Sequence, residues 1–508
     1  MSGTLTRREF IKAVGSGAAM LTLPGVLPAQ GLARSRPNIL YIMSDDHASP
    51  AISACGGFLA KVAPTPNIDR IARDGMRLEN CFCTNSICTP SRGCILTGQY
   101  SHVNRVYTLA DPLDPDHPNV AKHLQKAGYQ TAIFGKWHLH KDPNGFDAWN
   151  ILPGQGVYHD PILIEKDKGR TKHSGYVTDI ITDLTLDWLK QRDPQKPFFL
   201  MCHHKAPHRP WQPAARHANL FADMQMPEPD NLLDRYENRS RAAANARLKV
   251  GENTTRTDAK EDIPKDLDRD ALRKWAYQRY IKDYLRCVRA IDENVGRLLD
   301  YLDKEALAGN TIVIYTSDQG FFLGEHGYYD KRFIYEESLR MPFLVRYPAE
   351  IASGAVNKDV IINADFAPTF LDFAGQPTPA EMQGRSFRAN LAGKTPADWR
   401  TSMYYRYWMH LADHYVPAHY GIRTLKHKLI FYYGLPLGMT GAVKTPTEPE
   451  WELFDLEKDP HEMKNVYADP AYAPVVKELK TELLRLKESC GDSDKPYPEL
   501  VEVTKKHW

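Results

Sequence analysis

The 508 residues carry 65 Lys and Arg against 63 Asp and Glu, a formal charge of +2, so charge calls for neither a nucleic acid nor an anionic membrane as partner. Hydrophobic residues make up 42% and charged residues 25%, the balance of an ordinary globular chain. The length exceeds the ~250–300 residues at which a single core stops growing, so one large domain with a smaller appended unit is expected.

The chain begins Thr6-Arg7-Arg8-Glu9-Phe10-Ile11-Lys12, followed by an apolar, glycine-dotted run from Ala13 to Leu27 and small residues near Ala29 and Ala33. This pattern resembles a twin-arginine export signal, and its apolar run falls short of the ~20 residues that span a bilayer. Residues 1–33 are therefore expected to be a leader read by the twin-arginine export machinery. The expected location is the periplasm or elsewhere outside the cytoplasm, without stable membrane insertion.

Four apolar runs of strand length end abruptly in polar residues. Asn38–Met43 ends in Ser44-Asp45-Asp46-His47, and Thr131–Phe134 ends in Gly135-Lys136-Trp137-His138. Phe198–Met201 runs into the segment from His203 to His208, and Thr311–Tyr315 ends in Thr316-Ser317-Asp318-Gln319-Gly320. Between them lie the helical patterns of Asn119–Ala127, Tyr176–Leu189 and Leu272–Leu302. This alternation predicts an α/β sandwich with a large, mostly parallel sheet. Ligands of such sheets bind at the carboxyl ends of the strands, so Asp, Lys, His and Asp are expected to converge at one edge.

The polar stretch from Asp223 to Asp270 reads as a surface insertion in a catalytic domain covering residues 34–384. A smaller α+β domain with an antiparallel sheet is expected over 385–508, after the helical run Phe366–Phe373. Its strand-like stretches are Ser402–Trp408 and Lys428–Tyr433, and its last helix places Val476, Leu479, Leu483 and Leu486 on one face. Eight cysteines in so long a chain do not indicate a disulfide scaffold. Four of them fall between Cys81 and Cys94, but their spacing does not reproduce a four-ligand zinc site.

Within that group the run Cys88-Thr89-Pro90-Ser91-Arg92-Gly93-Cys94-Ile95-Leu96-Thr97-Gly98 is the motif that carries chemistry. Thr89 is a candidate helix N-cap and Pro90 suits a first helical turn, which would put residue 88 at the positive end of a helix. Unpaired backbone donors at such an end suit an anion.

The motif resembles the signature of the formylglycine-dependent sulfatases, in which the cysteine is oxidised to formylglycine; Gln99 departs from the family's usual arginine. The resemblance extends from Pro37 to the Glu452-Leu453-Phe454-Asp455-Leu456 stretch and implies an alkaline-phosphatase-like fold. It implies Asp45, Asp46, Asp318 and Gln319 as ligands of one calcium ion, together with the modified Cys88. Gln319 stands where many relatives have asparagine. Oxygen donors of this kind favour calcium over zinc.

The resemblance further implies Lys136 and His138 beside the nucleophile, His208 and Lys331 at the sulfate and leaving group, and Arg92 holding the aldehyde hydrate and the anion. A formylglycine-generating maturation enzyme is implied as a partner. The runs Met43–Ala48 and Tyr329–Ser338 look like those of sulfatases acting on N-acetylglucosamine 6-sulfate in mucins, heparan or keratan sulfate. An exo-acting 6-O-sulfatase on host or algal glycans is the leading expectation, with uronate, galactose or N-acetylgalactosamine sulfates as alternatives.

Asp330 and Arg332 either grip vicinal sugar hydroxyls or pair with each other. His419 and Arg423 are candidate rim residues of the second domain, and Trp211 either stacks on a sugar or packs in the core. Two other classes compete. Phosphatases and phosphodiesterases on this scaffold lack the Cys-x-Pro-Ser-Arg motif, and a non-catalytic sulfated-glycan-binding relative would not need the intact set of metal, nucleophile and lysine candidates.

Overall fold

A computed structural model describes residues 36–508, which form one compact unit. The leader expected over residues 1–33 lies outside the described residues. Ten strands make the large sheet: β1 (Asn38–Ser44), β2 (Met76–Leu78), β3 (Gln130–Lys136), β4 (Ala148–Leu152), β5 (Ile162–Glu165), β6 (Gly169–Lys172), β7 (Phe198–His204), β8 (Thr311–Ser317), β9 (Phe343–Arg346) and β10 (Ala355–Asn357). Their order is β10-β2-β9-β8-β1-β7-β3-β4-β5-β6. The five strands from β8 to β4 run parallel, while β9, β5 and β6 pair antiparallel at the flanks.

The central strands are apolar on both faces because both are covered. Ile39, Tyr41 and Met43 belong to one buried cluster and Leu40 and Ile42 to another. One face carries the helices α1 (Cys88–Thr97), α2 (Val120–Lys126) and α5 (Phe366–Phe373), and the other carries α3 (Val177–Gln191) and the 36-residue α4 (Arg269–Lys304). At 1.5 Å per residue α4 runs ~54 Å. Asp268 caps it by accepting from Ala271 N at 2.8 Å.

A separate antiparallel sheet of β11 (Ser402–Tyr407), β12 (His419–Thr424), β13 (His427–Tyr432) and β14 (Glu450–Asp455) follows in chain order. Helix α6 (Ala473–Ser489) lies against it, with Leu479 and Leu483 buried and Val476 and Leu486 partly so. The carboxylate of Glu452 accepts from Tyr335 OH at 2.8 Å, Tyr432 OH at 2.9 Å and Ser240 N at 2.8 Å, tying this sheet to both the 223–270 stretch and the main domain. That stretch carries two short helices, Arg241–Asn245 and Arg256–Ala259, and buries Met226, Leu232, Leu248 and Val250. Among the described residues, no helix is long and apolar enough to cross a membrane.

Candidate active site

Strand register assembles the site. β1 and β8 pair Met43 with Thr316 and Ser44 with Ser317, so the next residues of the two chains, Asp45 and Asp318, emerge side by side. Asp46 follows with φ 66°, and its backbone N–H donates to Asp318 Oδ1 at 3.2 Å. β3 ends in Lys136, and β7 leads through Lys205 to His208. The four strand ends thus meet as the sequence pattern predicts.

Helix α1 enters the same edge. Its N-cap is Ile87, with Cys88 as the first helical residue, so Thr89 is not the cap expected from sequence. Its hydroxyl instead faces His138 Nδ1 at 3.4 Å. Cys88 nonetheless occupies the first turn, at the positive helix end. Its thiol lies within 4.8 Å of an Asp45 oxygen and a His208 ring nitrogen. Burial pushes the thiol's pKa well up, which leaves it neutral and a weak nucleophile as encoded.

Three cations interlock with the three carboxylates. Arg92 donates from Nε to Asp318 Oδ2 at 3.0 Å, from Nη2 to Asp45 Oδ1 at 3.3 Å and from Nη1 to the Lys136 carbonyl at 2.7 Å. Lys136 Nζ donates to Asp45 Oδ2 and to Gln155 Oε1. Lys331 Nζ reaches both oxygens of Asp46, at 2.6 and 2.8 Å. His208 Nε2 stands 3.7 Å from Asp46 Oδ2, while its Nδ1–H donates to the Arg209 carbonyl at 2.7 Å.

The carboxylates respond unequally. Burial alone would raise Asp45, but Lys136, His208 and Arg92 hold it well below the usual range. Burial raises Asp46 to about 7 against the pull of Lys331, with Asp45 and Asp318 repelling its charge. Asp318 rises to about 6 through burial and repulsion by Asp45. Burial and the charges of Lys136 and Arg92 push His138 down to about 2, so its imidazole is neutral. His208 is likewise held well below its ordinary value, first by burial and then by Lys136.

The residues fit a hard cation. Oxygens of Asp45, Asp46 and Asp318 lie within 4.8 Å of one another. The Nε2 of Gln319 donates to Asp46 Oδ1, whereas its Oε1 is buried without a hydrogen-bond partner. A buried carbonyl oxygen left alone is costly, and a cation bound by the neighbouring carboxylates would satisfy it.

Comparison with known proteins identifies the family. The Sulfatase family pattern matches residues 37–376, and the pattern described as N-sulphoglucosamine sulphohydrolase, C-terminal, matches 324–489. An N-acetylglucosamine-6-O-sulfatase of Bacteroides thetaiotaomicron is 43% identical over 95% of this chain and 92% of its own. The chain belongs to the sulfatase family. The sulfatase is also similar to a solved structure described as a complex with its substrate D-glucosamine-2-N,6-O-disulfate, at 43% identity and a TM-score of 0.85, covering 91% of this chain and 100% of that one. Human N-acetylglucosamine-6-sulfatase is 27% identical over 76% of this chain and 70% of its own. As a member of this family the enzyme is a sulfuric ester hydrolase with the alkaline-phosphatase-like fold expected from its sequence.

Asp330 and Arg332 flank Lys331 in the sulfatase, both with left-handed backbones at φ 77° and 98°. Such strain in non-glycine residues clusters at functional sites. Asp330 Oδ2 lies 3.2 Å from His414 Nε2, and Arg332 donates to Tyr407 OH at 3.2 Å and Asp413 Oδ2 at 3.3 Å. Arg332 Nε stands 3.7 Å from Asp330 Oδ1 and is buried without a hydrogen bond. The mutual pairing of these two is therefore loose. His414 and Gln155 were not singled out from sequence. His414 lies in a connection 84 positions beyond Asp330 with no local motif, whereas Pro153-Gly154-Gln155-Gly156 is a turn signal that could have marked the other.

Three expected substrate residues are corrected by their packing. His419, Gly421 and Arg423 share one face of β12, and that face lies on the Phe333–Glu336 segment rather than at a rim. His419 is fully buried, with Phe333, Tyr405, Tyr407 and Tyr432 around its ring. Arg423 donates to both oxygens of Glu336, at 3.1 and 3.2 Å. Trp211 is 1% exposed and packs on Tyr280 and Tyr329, leaving no face for a sugar. Trp211→Ala is expected to cost about 3–5 kcal/mol of stability, as for other buried tryptophans, measurable by urea unfolding. A variant of native stability that had lost substrate affinity would reinstate the stacking role.

Proposed function

We propose that the enzyme removes the 6-O-sulfate from a terminal glucosamine residue of a sulfated carbohydrate, using calcium and a Cys88 oxidised to formylglycine. The observation that carries the chemistry is Cys88 in the first turn of a buried helix, with Asp45 and His208 within 4.8 Å and a ring of three cations around them. The sugar is supported by the relatives named N-acetylglucosamine-6-sulfatases and by the disulfated glucosamine in the similar complex.

Asp45, Asp46, Asp318 and Gln319 would hold the calcium ion, which supplies positive charge to the sulfate oxygens and the attacking hydroxyl. Hydrated formylglycine carries two hydroxyls on one carbon, one to attack sulfur and one whose deprotonation drives return to the aldehyde with release of sulfate. Arg92, Lys136 and Lys331 spread the charge of the transferring group. His138, neutral through burial and the adjacent lysine, is fit to take the proton of the second hydroxyl. His208 faces inward through Nε2, and a bound sulfate anion beside it favours its protonation, so it can donate to the departing sugar oxygen; Lys331 is the alternative donor.

Asp330, Arg332 and His414 would take the sugar hydroxyls. Cys88 is 1% exposed, so the maturation enzyme must reach it before the chain closes. If the leader directs twin-arginine export of the folded protein, that oxidation precedes export to the periplasm. Release of inorganic sulfate from 6-, 4-, 3- and 2-sulfated monosaccharides, by enzyme co-expressed with a formylglycine-generating partner and supplied with calcium, tests the reading. Release confined to glucosamine 6-sulfates is expected, with either an acetyl or a sulfate on nitrogen. Preference for a galactose or uronate sulfate would overturn the sugar assignment, and tight binding without turnover by protein carrying formylglycine would favour the glycan-binding class.

A further inference from the structure

The loop between β4 and β5 touches the reaction centre at two points that the mechanism does not use. The side-chain carbonyl of Gln155 accepts from Lys136 Nζ, and Tyr158 OH donates to the carbonyl of His208. Lysine has only donors, so the oxygen of the Gln155 amide must be the atom that faces it. Of the three Lys136 N–H groups, Asp45 Oδ2 takes one and Gln155 Oε1 another. One is left for the substrate.

The direction of that last donor is not a property of lysine itself. An ammonium is a point charge whose donors rotate freely about the end of a flexible stem. With Asp45 as sole acceptor the remaining donors could swing about one axis. With a second acceptor in a fixed place they cannot.

The loop is built to keep that second acceptor fixed. Gly154 and Gly156 bracket Gln155 with φ 55° and 65°, a conformation that suits glycine. A Cβ at Gly156 would come within 2.8 Å of Leu152 Cδ1. The N–H of Gly156 donates to the Pro153 carbonyl at 3.0 Å, closing the turn. Tyr158 anchors its far end, fully buried, stacked on Tyr176 with centroids 6.0 Å apart, and covered by Lys205 Nζ at 4.8 Å from the ring centroid.

We propose that Gln155 is a positioning residue for sulfate transfer, acting through Lys136, whose free N–H it aims at the transferring group. The proposal rests on the role given to Lys136 above. It makes the Pro153-Gly154-Gln155-Gly156 turn part of the catalytic apparatus, although Gln155 need not touch the sugar. Because the aim of one donor matters most when charge develops on the sulfate oxygens, the effect belongs to kcat rather than to ground-state binding.

Three variants, assayed with N-acetylglucosamine 6-sulfate, test it. Gln155→Met keeps the reach of the side chain without the acceptor and is expected to lower kcat about 10- to 100-fold, the range for a hydrogen bond to a charged group, with KM changed by less than about threefold. Gln155→Glu keeps an acceptor at the same place and is expected to hold kcat within about fivefold of the parent, which also shows that the loop still folds. Lys136→Ala is expected to abolish turnover. Equal losses in Gln155→Met and Gln155→Glu, or a Gln155→Met enzyme as fast as the parent, would overturn the proposal while leaving the function intact. Retained turnover in Lys136→Ala would remove the assigned role of Lys136 and the proposal with it.

Discussion

Cys88→Ala is expected to lower sulfate release by at least about a thousandfold, the scale of loss when a nucleophile that forms a covalent intermediate is removed. Cys88→Ser is expected to fall as far when its hydroxyl is left unoxidised, although it places an oxygen where the reaction needs one. The reason lies in the second half of the reaction. A sulfate ester on serine has no neighbouring hydroxyl on the same carbon to expel it, whereas the hydrate of an aldehyde has one. Burial also holds the unmodified Cys88 thiol neutral, so unmatured enzyme should be as inactive as the alanine variant. Sulfate release, read against the fraction of residue 88 found as formylglycine by peptide mass spectrometry, checks all three. Activity that failed to scale with that fraction would exclude the oxidised residue as nucleophile.

The parts of this site that could be read from sequence without the family motif share one property: each sits at or just beyond the end of an apolar run. Ile39 to Met43 and Ile312 to Tyr315 are legible because a parallel strand buried on both faces must be apolar throughout, and the polar residues that stop it can only lie at the edge. The in-register pairing of those two strands then brings Asp45 to Asp318 without further information. Lys136 and His208 follow by the same logic from β3 and β7. The flanking strands β4 to β6 and β9 to β10 are three to five residues long, too short for a period-two pattern to stand out.

Contacts made across the second sheet were less legible. His414 reaches Asp330 through a turn in which Leu411, Asp413 and Tyr415 all adopt positive φ, a conformation that apolar or aromatic residues rarely announce. His419 and Arg423 were misplaced because alternation along β12 says that they share a face but not which way that face looks. The structure turns it inward, where Gly421 leaves room for the Ile334 side chain, 3.1 Å from where a Cβ would stand. The helix start was missed by two residues for a related reason. Ile87 carries the extended backbone of an N-cap at φ −155° and ψ 144° without a side chain that can cap.

Removal of the divalent ion with a chelator is expected to abolish turnover and to lower the thermal midpoint, both restored by calcium. An ion present at a hundred times its dissociation constant stabilises the native state by about 2.7 kcal/mol, and the midpoint should therefore depend on calcium concentration. The unequal carboxylates show where that stabilisation would come from. Asp45 is already held ionised by Lys136, His208 and Arg92, whereas Asp46 and Asp318, raised to about 7 and 6, lack enough positive charge around them. Calcium would supply it and would bind less tightly as the pH falls through those values, because protons compete for the same two groups. Gln319→Leu deletes the proposed amide ligand and its partnerless oxygen together. It is expected to raise the calcium concentration for half-maximal activity about 10- to 100-fold while leaving kcat at saturating calcium within about threefold, since the three carboxylates that bear the charge remain. The calcium dependence of sulfate release and of the melting temperature, measured on both proteins, separates ligation from folding. A Gln319→Leu enzyme with an unchanged calcium requirement would show that the buried amide oxygen is not a ligand, and a chelated parent enzyme that kept its rate would remove the metal from the mechanism.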